Sequence, residues 1–361
     1  MRGLRWAARL ADRRLNTVTA PTLPQLSELA RELHARLEVV DLHTDALLWP
    51  RDLLERHAHG HVDVPRLLDG AVGVQVFSVV TKAPSSRDLS RGVSAAAPDS
   101  VTVLGLASGR PRPTRRSLLA RALEQAGRLH DTAARSGGQL TVAGGGRRAP
   151  LTGVLALEGL HALEGDAGNV DLLFDSGVRL FGLVHLADNE VGGSSTGVVA
   201  HGLTAFGRLV VSRIEARGGI VDVAHASPKT IDDVLATATR PVVASHTGVQ
   251  ATCMAPRNLS DAQLRGIAAT GGVVGVGLWP EAVGAAHPDT TVAAIRHVAG
   301  LVGVEHVALG SDFDGTVATP FDAAGWVHVT GALLRGGFTE QEVVAIMGGN
   351  ARRLLEDTEI L

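Results

Sequence analysis

Tyrosine is missing from this chain, and cysteine and lysine nearly so. Cys253 is the only cysteine, which excludes both an intrachain disulfide and a zinc cluster built on thiolates. Lys82 and Lys229 are the only lysines among 34 basic residues, so arginine carries almost all the positive charge. Aromatics make up 3% of the residues and the net charge is −3, which removes both the basic footprint and the stacking surfaces of a nucleic-acid binder. No window approaches the ~18 consecutive apolar residues of a transmembrane helix. The basic N-terminus is interrupted by Arg5, Arg9, Asp12, Arg13 and Arg14, where a signal peptide needs an unbroken apolar stretch of roughly 7–15 residues. Residues 354–361 lack a lipid-anchor tail. The expectation is a cytoplasmic protein with no membrane segment and no nucleic-acid partner.

What is present is a composition able to bury a large core: 361 residues, 45% of them hydrophobic and 20% charged. At ~150 residues per domain the length suggests about two domains, yet α/β barrels of this size fold as one. Apolar, β-branched runs recur at residues 37–42, 72–80, 153–157, 180–184, 220–224, 241–245, 272–278 and 306–310. Continuous apolar strands imply burial on both faces, as in a parallel sheet covered by helices. Between them, residues 117–135, 204–217, 227–238 and 260–270 repeat apolar positions at helical steps. Ser260 and Gln263 stand at capping-box spacing. Eight strands alternating with helices predict an α/β fold, a (β/α)₈ TIM-like barrel with long loops at the strand C-terminal ends. A doubly wound open sheet is the alternative. The expected organisation is a single barrel domain over 1–361, with an N-terminal helical extension over 1–36 and an insertion loop over 81–114. Residues 144–150 read as a Gly/Arg turn and residues 188–202 as a Gly/Ser-rich loop covering the barrel mouth.

The strand C-termini of a barrel converge, so the residues found there share one site. The first run ends in Asp41-Leu42-His43-Thr44-Asp45, the third in Glu158-Gly159, the fourth in His185, the fifth in His225, the sixth in His246 and the eighth in Asp312-Phe313-Asp314-Gly315. Any one of them alone reads as an ordinary surface or core residue; their joint occurrence points to metal chemistry. His43 and Asp45, two apart on an extended backbone, point to one side. Imidazole and carboxylate together suit Zn²⁺, and four such ligands plus Glu158 exceed what one zinc takes, so two metals sharing a carboxylate is the economical reading. Neither lysine stands where a carbamylated bridge would be needed, leaving Glu158 as the bridge.

These segments, with Val221-Asp222-Val223-Ala224-His225, Ser245-His246, Arg257-Asn258 and Gly202-Leu203-Thr204-Ala205-Phe206-Gly207, resemble the membrane (renal) dipeptidase family of zinc peptidases. The resemblance spans residues 37 to 356. It implies a dizinc barrel in which His43 and Asp45 hold one zinc, His225 and His246 the other, and Glu158 bridges. It also implies that His185 contacts substrate, Arg257 binds its carboxylate and Asp312 acts as acid/base. Thr44 stands where the family often has Asn and Leu42 where it often has Gly. The disulfides and lipid anchor of the animal members are absent, which bears on membrane location and not on chemistry.

The expected activity is hydrolysis of a dipeptide by a metal-bridging hydroxide. His185 would stabilise the oxyanion, Asp312 would carry the proton to the leaving amine, and Arg257 would clamp the free α-carboxylate. An N-acyl amino acid or lactam amidohydrolase on the same barrel and a catalytically silent metal-binding scaffold are the alternatives. From the residues alone Asp314 competes with Asp312 for the acid/base role. Asp41 and Asp222 read as ligand supports or packing residues. The tract His57-Ala58-His59-Gly60-His61 reads as a solvated loop cluster, Cys253 as a small buried residue, and Asn189 and Glu190 as possible contacts to the substrate amine. A homodimer is the default assembly for such a barrel.

Overall fold

A computed structural model describes residues 2–85, 92–146 and 148–361. Residues 86–91 of the expected insertion and residue 147 of the expected Gly/Arg turn lie outside this set. Eight parallel strands form the barrel: β1 Val39–Thr44, β2 Val72–Val80, β3 Leu151–Glu158, β4 Val178–Gly182, β5 Ile220–Asp222, β6 Val242–Thr247, β7 Val274–Val276 and β8 Val307–Leu309. Each pairs with the next in sequence, and Leu309 of β8 pairs with Asp41 of β1 to close the ring. A short strand, Leu140–Val142, for which the sequence pattern gave no expectation, lies parallel against the start of β3, just before the expected turn.

Alternate residues of each strand serve two cores. Val40, Val74, Val154, Leu180, Ile220 and Val243 fill the barrel, together with Ala351, Leu354 and Leu355 from the last helix, Asn350–Asp357. The other set, among them Phe77, Leu155, Phe181 and Val242, packs outward on helix residues such as Leu129, Ile214, Val234 and Leu264. This double burial is why the strands read as unbroken apolar runs. The four expected helices are present as Leu118–Arg135, Ala205–Ala216, Pro228–Leu235 and Asp261–Ala269. Ser117, Thr204, Ser227 and Ser260 cap them, and the last has a complete capping box.

Two expectations need correction. Strand β5 ends at Asp222, short of residue 224, because the Asp222 carboxylate accepts the Ala224 and Ser245 N–H groups and takes the backbone out of the ladder. The insertion after β2 is not loop throughout: it carries the helix Ser100–Ser108, capped by the Asp99 carboxylate and ended by Gly109 in the left-handed region.

Narrowing at the mouth depends on glycine. A Cβ at Gly275 or at Gly310 would overlap the Ser245 carbonyl oxygen, so both positions must be bare for β6 to sit deep beside β7 and β8. That depth brings His246, the next residue, toward the barrel axis.

Candidate metal centre

The strand ends deliver their polar residues to one buried cluster. Within hydrogen-bond to ion-pair range of the Glu158 carboxylate stand His225 Nε2 at 3.0 Å, His185 Nε2 at 3.5 Å, His246 Nε2 at 3.6 Å and His43 Nε2 at 3.7 Å. His43 Nε2 is also 3.3 Å from Asp45 Oδ1 and 3.9 Å from Asp312 Oδ1. His225 and His246 face one another, Nε2 to Nε2, at 2.9 Å. Three triplets bring their ligand atoms within 4.8 Å of each other: His43–Glu158–His246, Glu158–His185–His225 and His43–Asp45–Asp312. His43, Asp45, Glu158, His185, His225, His246 and Asp312 are therefore brought together, and Asp41 and Asp314 are not.

Local backbone features aim these side chains. His225 and Asp312 adopt φ of +63° and +57°, a region non-glycine residues rarely occupy, and both lie at the mouth where chemistry is concentrated. Asp41, buried beneath His43, accepts from the His43 and Ser311 backbone N–H groups and from the Ser311 hydroxyl at 2.6 Å. It pins β1 to the segment after β8. Asp222 ties β5 to β6 in the same way. The competing candidate Asp314 is fully occupied elsewhere. Its oxygens accept from His61 N at 2.7 Å, Val62 N at 3.2 Å and Arg51 Nη2 at 2.6 Å, and its own N–H donates to His61 Nδ1. Asp314 is a buried hub. The His57–His61 tract is consequently no solvated cluster: His61 is fully buried against that hub, and His57 Nε2 meets the Asp52 carbonyl.

Electrostatics show what the cluster requires. Burial works against charge on His43, but the Asp45 carboxylate 3.3 Å away and the charges of Glu158 and Asp312 prevail and raise its pKa to about 10. Burial raises Asp312 well above the usual carboxylate range, with Asp45 adding to it against the pull of His43. His225 falls to about 3 and His246 well below its ordinary value, chiefly through burial, so both rings are neutral with lone pairs to offer. Three buried carboxylates in contact with imidazoles call for added positive charge. His43 Nε2, Asp45 Oδ1 and Glu158 Oε2 are buried with no hydrogen-bond partner among the described residues, which buried polar atoms rarely tolerate. Neutral nitrogens, inward orphan oxygens and excess negative charge are the donor set of a cation site.

The rest of the mouth is built around this cluster. His185 donates from Nδ1 to the Lys82 carbonyl at 3.0 Å, which only accepts, so Nε2 is left facing Glu158. Arg257 donates from Nη2 to the His246 carbonyl at 2.9 Å and lies over the Trp279 ring at 4.8 Å. Its Nε is buried without a partner among the described residues. The loop over 188–202 is anchored by Ser194, whose hydroxyl donates to the His185 carbonyl at 2.5 Å and sits 3.3 Å from that of His225. Asn189 is turned into this loop, donating to Leu183 O and accepting from Val191 and Gly192. Cys253 is partly exposed, its sulfur near the Glu281 carbonyl at 3.6 Å, and not buried as expected. Sequence reasoning missed Ser194, Trp279 and Arg51. Only the Gly/Ser-rich composition around Ser194 hinted at one of them.

The model for the family described as membrane dipeptidase (peptidase family M19) matches residues 27–361. The chain belongs to that family. By that membership it is a metal-dependent dipeptidase. Among curated relatives, the dipeptidase aclJ of Aspergillus oryzae is 27% identical over 345 residues, covering 90% of this chain and 79% of its own. Two crystal structures share the fold. The dipeptidase AC, a metallo peptidase, superposes with a TM-score of 0.74 at 24% identity over 90% of this chain and 99% of its own. A metallo peptidase from Rhodobacter sphaeroides, liganded with a phosphinate mimic of the dipeptide L-Ala-D-Ala, gives 0.73 at 23% identity over 89% and 99%. No helix among the described residues is long and apolar enough to cross a membrane.

Proposed function

We propose that this membrane dipeptidase family member is a dizinc enzyme that hydrolyses the single peptide bond of dipeptides. The convergence of His43, Asp45, Glu158, His225 and His246, with buried atoms of His43, Asp45 and Glu158 that have no partner among the described residues, carries the reading. His43 and Asp45 would hold one zinc, His225 and His246 the other, and Glu158 both. When bound, the zincs supply a Lewis acid for the scissile carbonyl and a hydroxide nucleophile at neutral pH, the pKa of coordinated water falling to about 7.

The chain's own residues supply the rest. Arg257 presents a planar fork, steadied by Trp279 and by the His246 carbonyl, to the substrate α-carboxylate. Fixed at one distance from the scissile bond, it selects substrates with one residue beyond that bond. His185, held by the Lys82 carbonyl through Nδ1, turns Nε2 to the reacting carbonyl. Beside Glu158, that nitrogen is placed to stabilise the developing oxyanion. Asp312, whose surroundings favour the protonated form, holds the proton and delivers it to the leaving amine. An N-acyl amino acid amidohydrolase would use the same clamp without a free substrate amine.

The test is ninhydrin-detected hydrolysis of L-Ala-L-Ala, L-Ala-D-Ala and N-acetyl-alanine by zinc-loaded protein, with Asp312→Asn as control. Cleavage of a dipeptide that the control loses supports the proposal. Cleavage of the acetylated compound alone moves the function to acylase, and silence on all three with zinc bound contradicts it.

A further inference from the structure

The segment bearing Asp312 is strained: Asp312, Asp314 and Thr316 alternate through φ of +57°, +65° and +62°. Such a conformation is unfavourable for a non-glycine residue and persists only where its surroundings fix it. Part of that fixing comes from the barrel. The Phe313 carbonyl accepts the Asp45 N–H at 2.9 Å and the Thr44 hydroxyl at 2.8 Å, and the Asp314 carbonyl accepts the Trp49 indole N–H at 2.7 Å.

Further fixing comes from His61 and Val62, which hold Asp314, and from residues that precede the family-matched region, 27–361. The helix Arg2–Leu15 buries Asp12, whose carboxylate pairs with Arg51 Nε at 2.9 Å, while Arg51 Nη2 holds Asp314 at 2.6 Å. One guanidinium thus links the N-terminal helix to the hub two residues beyond Asp312. Asn16 donates to Asp12 at 2.8 Å and accepts the Thr316 N–H at 2.9 Å, reaching the third strained residue directly. Thr17–Val18 then pairs in parallel with Ala318–Thr319, and the Thr19 N–H donates to the Thr319 carbonyl at 2.8 Å. Three successive contacts from one eight-residue stretch, 12–19, thus grip the strained segment from its C-terminal side.

We propose that residues 12–19 form a strap that positions Asp312 for proton transfer, with Asp12 and Asn16 as positioning residues for the reaction. The inference rests on the reading of Asp312 as the proton carrier. The strap touches neither substrate nor any proposed zinc ligand, so loosening it should alter kcat while sparing KM and metal binding. Misplacement of a reacting group by up to an ångström lowers turnover by about ten- to hundredfold.

The experiment is a double-mutant cycle on zinc-loaded full chain: wild type, Asn16→Ala, Asp312→Asn and the pair, with Asp12→Asn as a second strap variant. For each, kcat, KM, zinc content and exchange of the Thr316 amide are measured. The expected result is faster Thr316 exchange and about ten- to hundredfold lower kcat in Asn16→Ala, with KM within about twofold and zinc unchanged. That loss should vanish in the Asp312→Asn background, because a residue acting through Asp312 has nothing left to position. An unchanged kcat in both strap variants, a kcat loss that tracks zinc loss or unfolding, or an equal loss in the Asp312→Asn background would overturn the proposal. Full turnover by Asp312→Asn itself would instead overturn the role of Asp312 on which the strap depends.

Discussion

Replacing Arg257 by alanine probes how this site recognises one end of its substrate. The residue is partly exposed, though its guanidinium Nε is buried; Nη2 donates to the His246 carbonyl at 2.9 Å and the group stacks on Trp279 at 4.8 Å, so its position is set before substrate arrives. A hydrogen bond to a charged group contributes about 1.5–3 kcal/mol. At 1.4 kcal/mol per factor of ten, its loss corresponds to a KM increase of about 10- to 150-fold, with partial exposure favouring the lower part of that range. The substrate pair is L-Ala-L-Ala and its C-terminal amide, which lacks the anionic carboxylate. Arg257→Ala should raise KM for the dipeptide by that factor and change the amide little. Arg257→Lys should recover only part of the loss, since an ammonium lacks the planar fork. The cation–π contact is worth only about 0.5–1 kcal/mol, so unfolding is not the expected route to lost activity. An equal loss on both substrates would refute the clamp.

Asp314→Ala should destabilise the folded protein by about 3–5 kcal/mol in urea titrations, because Arg51 loses one partner in a buried network and two backbone N–H groups lose their acceptor; a change below about 1 kcal/mol would deny Asp314 its hub role. His185→Ala should lower kcat by about 10²–10³-fold at constant zinc content, the cost typical of losing an oxyanion donor. A halved zinc content would instead make His185 a ligand in its triplet with Glu158 and His225. Burial holds His34 at about 4, below its ordinary 6.5, so the unfolded chain binds the extra proton between those values. Stability is therefore present above pH 6.5 and falls as pH drops toward 4, by up to about 3 kcal/mol from this group. Urea titrations at pH 5 and 7.5 should show a smaller pH difference in His34→Gln than in wild type, and equal differences would contradict this.

The barrel was legible because each strand is buried on both faces, and that leaves an apolar run no helix-period pattern imitates. The site was legible for a related reason: barrel strands end at one mouth, so His43, Glu158, His185, His225, His246 and Asp312 mark their own convergence by their position in the chain. Contacts between residues far apart in sequence left no such mark. Asp314 competed with the favoured Asp312 for the proton role, and only the fold reveals that Arg51, 263 positions earlier, claims it. The His57–His61 tract looked solvated because its partner lies after β8. The helix Ser100–Ser108 did carry a local signature in Asp99 and Gly109, but the surrounding Ser, Pro and Gly obscured it.

The central claim is a two-zinc centre bridged by Glu158. Its most direct measurement is zinc bound per chain, by elemental analysis after dialysis against metal-buffered solution, for wild type and Glu158→Ala at matched folded fraction. The account predicts two zincs in the wild type, at most one in the variant, and no dipeptide hydrolysis by the variant. A single zinc in the wild type, or two zincs retained without Glu158, would contradict it.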